Sequence, residues 1–176
     1  AFQRDPELPG LVDRLVISGG CVDGIGNVTA AAEYNMFYDS NSARTVFRSP
    51  VTKTVVPLDV TRTVRLTLDF LDKLPPETTR VGSFLRQILP FLYRAYHQRL
   101  GQESMLLHDV VTLVSVLDPT LFECAEMSGD VETRGELTLG TTVFDRRYSP
   151  QWRPNMDVSL RTDPEKVIAC IVNSLS

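Results

Sequence analysis

The sequence is poor in residues that staple, ligate metals or span membranes. Its three cysteines, Cys21, Cys124 and Cys170, lie far apart with no CxxC spacing, so neither a disulfide framework nor a thiolate metal site is expected. Such a count suits reduced, mostly buried thiols in a cytosol-like compartment. His97 and His108 are the only histidines, too few to support a zinc site. No apolar run approaches the roughly 18 residues of a membrane-spanning helix, and the N-terminus is polar, unlike a signal peptide. Basic residues are scattered, Arg146-Arg147 being the one adjacent pair, and the formal net charge is -4. That balance argues against nucleic acid as a partner, because neutralising phosphates needs clustered Lys and Arg. Gly19-Gly20 followed by Gly24 and Gly26 does not match GxGxxG, no Walker-type lysine follows, and GxSxG is absent. A cytoplasmic protein with no membrane and no nucleic-acid partner is the expectation.

What is present fits one ordinary α/β domain spanning residues 1–176. The chain is 43% hydrophobic and 23% charged, and its length suffices to bury a core. Leu15-Val16-Ile17 reads as a buried strand stopped by Gly19-Gly20, and a long Gly-rich connection leads to Asn35. Asp39-Ser40-Asn41 offers N-caps for a helix through Ala43, Val46 and Phe47, ended by Pro50. Thr54 to Leu58 is the next strand, carried on through Thr61, with Pro57 speaking against a central place in a sheet. Strand, helix and strand make a βαβ unit. Thr67 caps a short helix through Leu74. A longer helix spans 81–100, with Val81, Phe84, Leu85, Ile88, Leu89, Leu92 and Tyr96 on one core-facing stripe and a kink expected at Pro90. Met105 to Leu117 is apolar nearly all round and reads as a buried helix with His108 and Asp109 in or near its first turn. Strands follow at 130–134 and 137–144, then a half-exposed one at 157–161 and a closing helix capped by Asp163 with Pro164 at N1. The opening, Ala1-Phe2-Gln3-Arg4-Asp5-Pro6, has no initiator Met and reads as the tail of a helix begun upstream.

Two patches are dense in chemistry. Asn27, Glu33 and Asn35 mix donors and acceptors in a manner suited to a polyhydroxylated ligand such as a sugar. By composition alone, a surface loop whose amides cap turns is the commoner cause. Asp109 beside His108 on an apolar helix would be costly if buried without a partner or a metal. Oxygen-only ligation would favour Ca²⁺ or Mg²⁺, and a capping or arginine-paired Asp109 is the even alternative.

Taken together, these residues resemble the nucleoside hydrolase family, the inosine–uridine-preferring nucleoside N-ribohydrolases. Ile17-Ser18-Gly19-Gly20 is similar to the family's MGG turn with Ser18 for Met, and Gly26-Asn27 with Ala32-Glu33-Tyr34-Asn35 to its GN…AEFN loop. Asp39, Ala43 and Val46 follow its DPEAA helix, Val56 to Thr61 matches VPLDVT, and His108-Asp109 is the HD pair. Val131-Glu132, Gly140-Thr141-Thr142 and Asp157-Val158 echo later landmarks. The resemblance covers essentially the whole chain. It implies a Rossmann-like mixed or parallel sheet with flanking helices, and hydrolysis of ribonucleosides to free base and ribose. It also implies a Ca²⁺ cofactor with Asp109 as a ligand, and a ribose held by Asn35 at its lower hydroxyls and by Asn27 and Glu33 at its 5′-hydroxyl. By the same resemblance His108 protonates the departing base, Tyr96 contacts that base, and the full-length form is a homo-oligomer, dimer or tetramer.

The family's DTDPGxDDA segment, which supplies most calcium carboxylates and the general base, has no counterpart here. The chain therefore resembles the C-terminal half of a nucleoside hydrolase, a fold lacking its N-terminal strands, and is expected to be inactive alone. The alternative is a catalytically dead α/β module kept for binding or assembly.

Overall fold

The computed structural model describes residues 1–175, and their contacts divide into two compact units. The first comprises Ala1–Val60 with Phe122–Thr162; the second comprises Thr61–Leu121 and the chain from Asp163 onward.

The first unit is built on a four-stranded mixed sheet. After a single helical turn, α1 (Leu8–Leu11), the chain enters β1 (Leu15–Ser18), whose parallel neighbour is β2 (Lys53–Val56). Between them run α2 (Tyr34–Tyr38) and α3 (Ser40–Arg48), so the expected βαβ unit is present. Asp39 caps α3 by accepting from the Ser42 N–H at 3.0 Å. The sheet order is β1-β2-β8-β5, where β8 (Met156–Thr162) runs parallel to β2, and β5 (Phe122–Met127) is an antiparallel edge. A hairpin-like pair, β6 (Gly129–Val131) with β7 (Thr142–Phe144), lies beside it in sequence. Met36, Phe47, Val55, Val131, Phe144, Met156 and Val158 form the core.

Several expectations need correction. β2 ends at Val56 and α4 (Leu58–Thr61) follows, so Leu58 to Thr61 is helix rather than strand. Pro57 falls just past the ladder, which is why β2 can be central, between β1 and β8. β5 was not foreseen. β8 is half-exposed as expected, although it is flanked by strands on both edges: it buries Met156, Val158 and Ser159, while Leu160 and Arg161 are exposed. The strands foreseen at 130–134 and 137–144 shrink to three residues each. Only Cys21 among the cysteines is buried, Cys124 being exposed on the edge strand and Cys170 half-buried. Lys53, at the start of β2, is 2% exposed and donates to the carbonyls of Ser49 and Asn155 at 2.9 and 3.0 Å. Burial pushes its pKa down.

The second unit is mainly helical. A two-residue strand β3 (Leu66–Thr67) pairs antiparallel with β4 (Ser104–Met105), and a 3-10 segment, Leu68–Lys73, precedes the 21-residue α5 (Arg80–Leu100). Thr79 caps α5 by accepting from the Gly82 N–H at 2.9 Å. At Gly82 a Cβ would stand 2.2 Å from the Pro76 carbonyl oxygen, so glycine is what lets α5 approach the Pro75-Pro76 backbone. The foreseen core-facing stripe holds in part, at Leu85, Leu89, Leu92 and Tyr96, which are buried or half-buried. α5 buries Gly82, Leu89 and Tyr93, whereas Val81, Phe84 and Ile88 are exposed, as is Phe91. α6 (His108–Leu117) starts three residues later than the apolar run suggested, because Ser104-Met105 is spent on strand pairing. It buries Val111, Thr112, Val114 and Ser115, while Leu113, Val116 and Leu117 are exposed. α7 (Pro164–Ser174) closes the chain as foreseen, with Asp163 accepting from the Glu165 and Lys166 N–H groups.

Phe47, fully buried on α3, should be the most sensitive single core position of the first unit. Phe47→Ala is expected to cost about 3–5 kcal/mol, read as a lower urea midpoint at unchanged m-value. A loss under about 1 kcal/mol would contradict this packing.

Candidate active site

The parallel strands β1 and β2 end on the same side, and the chain leaving them carries the polar groups, as expected at the carboxyl ends of strands in open α/β sheets. β1 exits through Gly19-Gly20. At Gly20 φ is +77°, a value that favours glycine, and a Cβ would stand 2.8 Å from Thr142 Cγ2. That turn aims the Gly20 N–H at Glu33 Oε2, 3.1 Å away, and the same oxygen accepts from the Met36 N–H at 3.1 Å, capping α2. Glu33 is 5% exposed. Oε2 is thus committed to the fold, while Oε1 has no hydrogen-bond partner among the described residues and is not sealed from solvent.

The two asparagines of the loop are oriented in the same way. Asn27 Oδ1 accepts from the Tyr34 N–H at 2.9 Å, which turns its amide nitrogen outward as a donor. Asn35 Nδ2 donates to the Ser18 carbonyl at 3.0 Å, which leaves its oxygen as an acceptor. Both residues are exposed. Asn27, Glu33 and Asn35 are therefore brought together on one segment, each with one polar atom fixed by the backbone and one available.

Two residues of this segment's support were not singled out from sequence. Asp59, at the start of α4, accepts from the Val22 and Asp23 N–H groups at 2.7 and 3.0 Å, bracing the Gly-rich loop. Thr142 exchanges hydrogen bonds with Cys21, accepting from its N–H at 2.9 Å and donating to its carbonyl at 2.7 Å. Asp59 had a legible signal, being a carboxylate just past the end of a buried strand.

In the second unit, His108 opens α6, with Nδ1 2.7 Å from the buried Thr61 hydroxyl. The Thr112 hydroxyl donates to the His108 carbonyl at 3.1 Å. Tyr96 is half-buried on α5, and its hydroxyl donates to the Leu106 carbonyl at 2.9 Å, tying it to the segment just before His108.

Asp109 is exposed, not the buried carboxylate that the apolar run implied. It stands in the first turn of α6, where the helix dipole favours a negative charge, on the face opposite the buried residues. Among the described residues no group of three or more His, Cys, Asp or Glu side chains could hold a metal ion. Ca²⁺ takes 6–8 oxygens, and a lone exposed carboxylate does not fit that demand.

Comparison with known proteins places the chain in a family. The sequence profile of the family described as inosine-uridine preferring nucleoside hydrolase matches residues 1–169, and the chain belongs to that family. It is 34% identical over 173 residues to the pyrimidine-specific ribonucleoside hydrolase RihA of Shewanella sp. (strain ANA-3), covering 97% of this chain and 54% of that protein. The RihA of Klebsiella pneumoniae (strain 342) is 32% identical, with 55% of it covered. Among solved structures, the plant nucleoside hydrolase PpNRh1 and the purine-preferring ribonucleoside hydrolase from Gardnerella vaginalis each superpose with TM-score 0.89 at 27% identity. Each covers 99% of this chain, against 57% and 55% of their own chains. The chain spans about half the length of the relatives it matches. No helix among the described residues is long and apolar enough to cross a membrane.

Titration of this chain with CaCl₂ is expected to give no saturable heat at concentrations below about 1 mM, since no three carboxylates or histidines cluster among the described residues. Micromolar binding, abolished by Asp109→Asn, would contradict that reading.

Proposed function

We propose that this chain serves the hydrolysis of the N-glycosidic bond of ribonucleosides to free base and ribose. The observation that carries the reading is Glu33, a nearly buried carboxylate at the end of β1 with one oxygen fixed by two backbone N–H groups and the other open. Membership of the nucleoside hydrolase family supports the same reaction. Relatives named as pyrimidine-specific and as purine-preferring both occur, so the base is left open.

The roles follow from the fixed atoms. Asn27 and Glu33 hold the 5′-hydroxyl, as outward donor and open acceptor respectively. Asn35 offers its carbonyl oxygen to the lower hydroxyls. As the base departs, the ribosyl group gains oxocarbenium-like positive charge, which the Glu33 carboxylate and the Asn35 carbonyl stabilise. Gripping several hydroxyls also converts binding energy into positioning. His108, held through Nδ1 by the Thr61 hydroxyl, gives a proton to the leaving base. Tyr96 presents its ring to the base, its hydroxyl being tied to Leu106. Asp109 is the candidate calcium ligand of the chain, and one carboxylate does not hold that ion alone.

That incomplete donor set favours a second reading, in which the chain binds ribonucleosides without cleaving them. For the chain by itself both readings give the same outcome. Incubation with uridine or inosine is expected to release no free base above background, with 5 mM CaCl₂ or with chelator, on the order of the Ca²⁺ levels that fill weak sites. Calcium-dependent release of uracil or hypoxanthine, lost in His108→Ala, would show that the chain is a complete catalyst and overturn this expectation.

A further inference from the structure

A cleft of about 610 Å³ opens in the first unit, lined by α3, the strand β6 and the loop that carries Trp152 and Arg153. None of the ribose-binding candidates lines it. Arg44 and Arg48, one turn apart on α3, converge on Asp130 of β6. Both Arg44 Nε and Nη2 reach Asp130 Oδ2, at 3.2 and 3.1 Å, and Arg48 adds Nε at 3.2 Å and Nη2 at 2.5 Å. Oδ1 accepts from the Val131 N–H at 2.9 Å and from Arg48 Nε at 3.3 Å. Burial alone would push the Asp130 carboxyl up, but the hydrogen bonds from Arg48, Val131 and Arg44 outweigh it and hold it below its ordinary value.

Asp130, the carboxylate between the two arginines, is thus spent while the donors around it are not. Asp130 is saturated, and Glu132 Oε1 accepts three backbone N–H groups, from Thr133, Arg134 and Gly135. Of the five N–H groups each guanidinium carries, Arg44 places three and Arg48 two. Arg44, Arg48 and Arg153 stand against Asp130 and Glu132 in the lining, which leaves one positive charge in excess. Arg153, also lining the cleft, has no partner among the described residues. An apolar wall completes the site. Trp152 is 45% exposed, and its backbone is pinned: its N–H donates to Asp145 at 3.1 Å and its carbonyl accepts from Ser128 at 2.8 Å. Asp145 is itself clamped by Arg147 at 2.7 Å.

We propose that this cleft binds a phosphate group, free or as a monoester of a small sugar, on Arg153, Arg48 and Arg44, with Trp152 packing against the remainder of the ligand. Phosphate suits the site better than a carboxylate. It carries about 1.5 charges or more at neutral pH and several acceptor oxygens, enough to engage three guanidinium groups at once. The site is separate from the ribose-binding reading and does not depend on it.

Trp152 is the only tryptophan in the chain, so its fluorescence reports on the cleft alone. The test titrates the protein with sodium phosphate and with ribose 5-phosphate, at ionic strength held constant with NaCl. A saturable change is expected for both, weakened about tenfold in Arg153→Ala, the loss of one charge-assisted contact. Arg48→Ala, in which Arg44 still pairs Asp130, should weaken it similarly, with circular dichroism confirming both folds. Tighter binding of ribose 5-phosphate would assign the sugar ester, and equal binding would assign phosphate alone; either supports the site. The same change with NaCl alone, no saturation, or undiminished affinity in both folded variants would overturn it.

Discussion

The pair of hydrogen bonds that Glu33 Oε2 accepts, from Gly20 N–H and Met36 N–H, is the constraint on which the candidate site depends. Hydrogen bonds to a charged group contribute about 1.5–3 kcal/mol each, and here they join the turn leaving β1 to the first turn of α2. The long Gly-rich loop between those ends is thereby closed at its base. Gly20 must hold φ at +77° for its N–H to point inward, and Thr142 fills the space where a Cβ would lie. A single carboxylate thus acts twice: one oxygen builds the loop, and the other is held beside the strand end with no protein partner.

The same economy recurs around it. Each candidate ribose group is fixed through one polar atom to the backbone, Asn27 to Tyr34 and Asn35 to Ser18, so its second atom is oriented without any ligand present. His108 is held in a similar way in the second unit, with the Thr61 hydroxyl on Nδ1. Preorganisation of this kind is what stabilises a developing ribosyl cation without reorganisation cost. Calcium chemistry is different. Its ligands must converge from several carboxylates, and the described residues supply no such cluster.

Much of the fold was legible because its signals are local: a β-branched run stopped by Gly19-Gly20 and the Asp39 cap in the first unit, and Asp163-Pro164 opening the last helix in the second. Ordered motifs identified the family, and with it the loop from Asn27 to Asn35. What stayed hidden depended on neighbours. Leu58 to Thr61 has the composition of a strand, yet becomes helix because β2 ends before Pro57. β8 alternates in sequence but is interior, since β5 covers an edge that no local pattern announced. Asp109 seemed buried because its run is apolar, but α6 exposes Leu113, Val116 and Leu117 along with it. The α5 stripe held only in part: Leu89 is buried and Leu85, Leu92 and Tyr96 half-buried, but Val81, Phe84 and Ile88 face out while Gly82 and Tyr93 turn in. Thr61, Asp59 and Thr142 act on residues far along the chain, and only the fold reveals those partners.

The central claim is that Glu33 offers its open oxygen to a ribose 5′-hydroxyl. Its most direct test is an amide and side-chain NMR titration of the labelled protein, comparing uridine with 5′-deoxyuridine. Uridine is expected to shift the Gly20, Glu33 and Met36 amides and the Asn27 side-chain amide in a saturable manner, and 5′-deoxyuridine to leave the Glu33 group of signals unmoved. Identical shifts with both nucleosides, or none at Glu33 with uridine at saturation, would contradict the account.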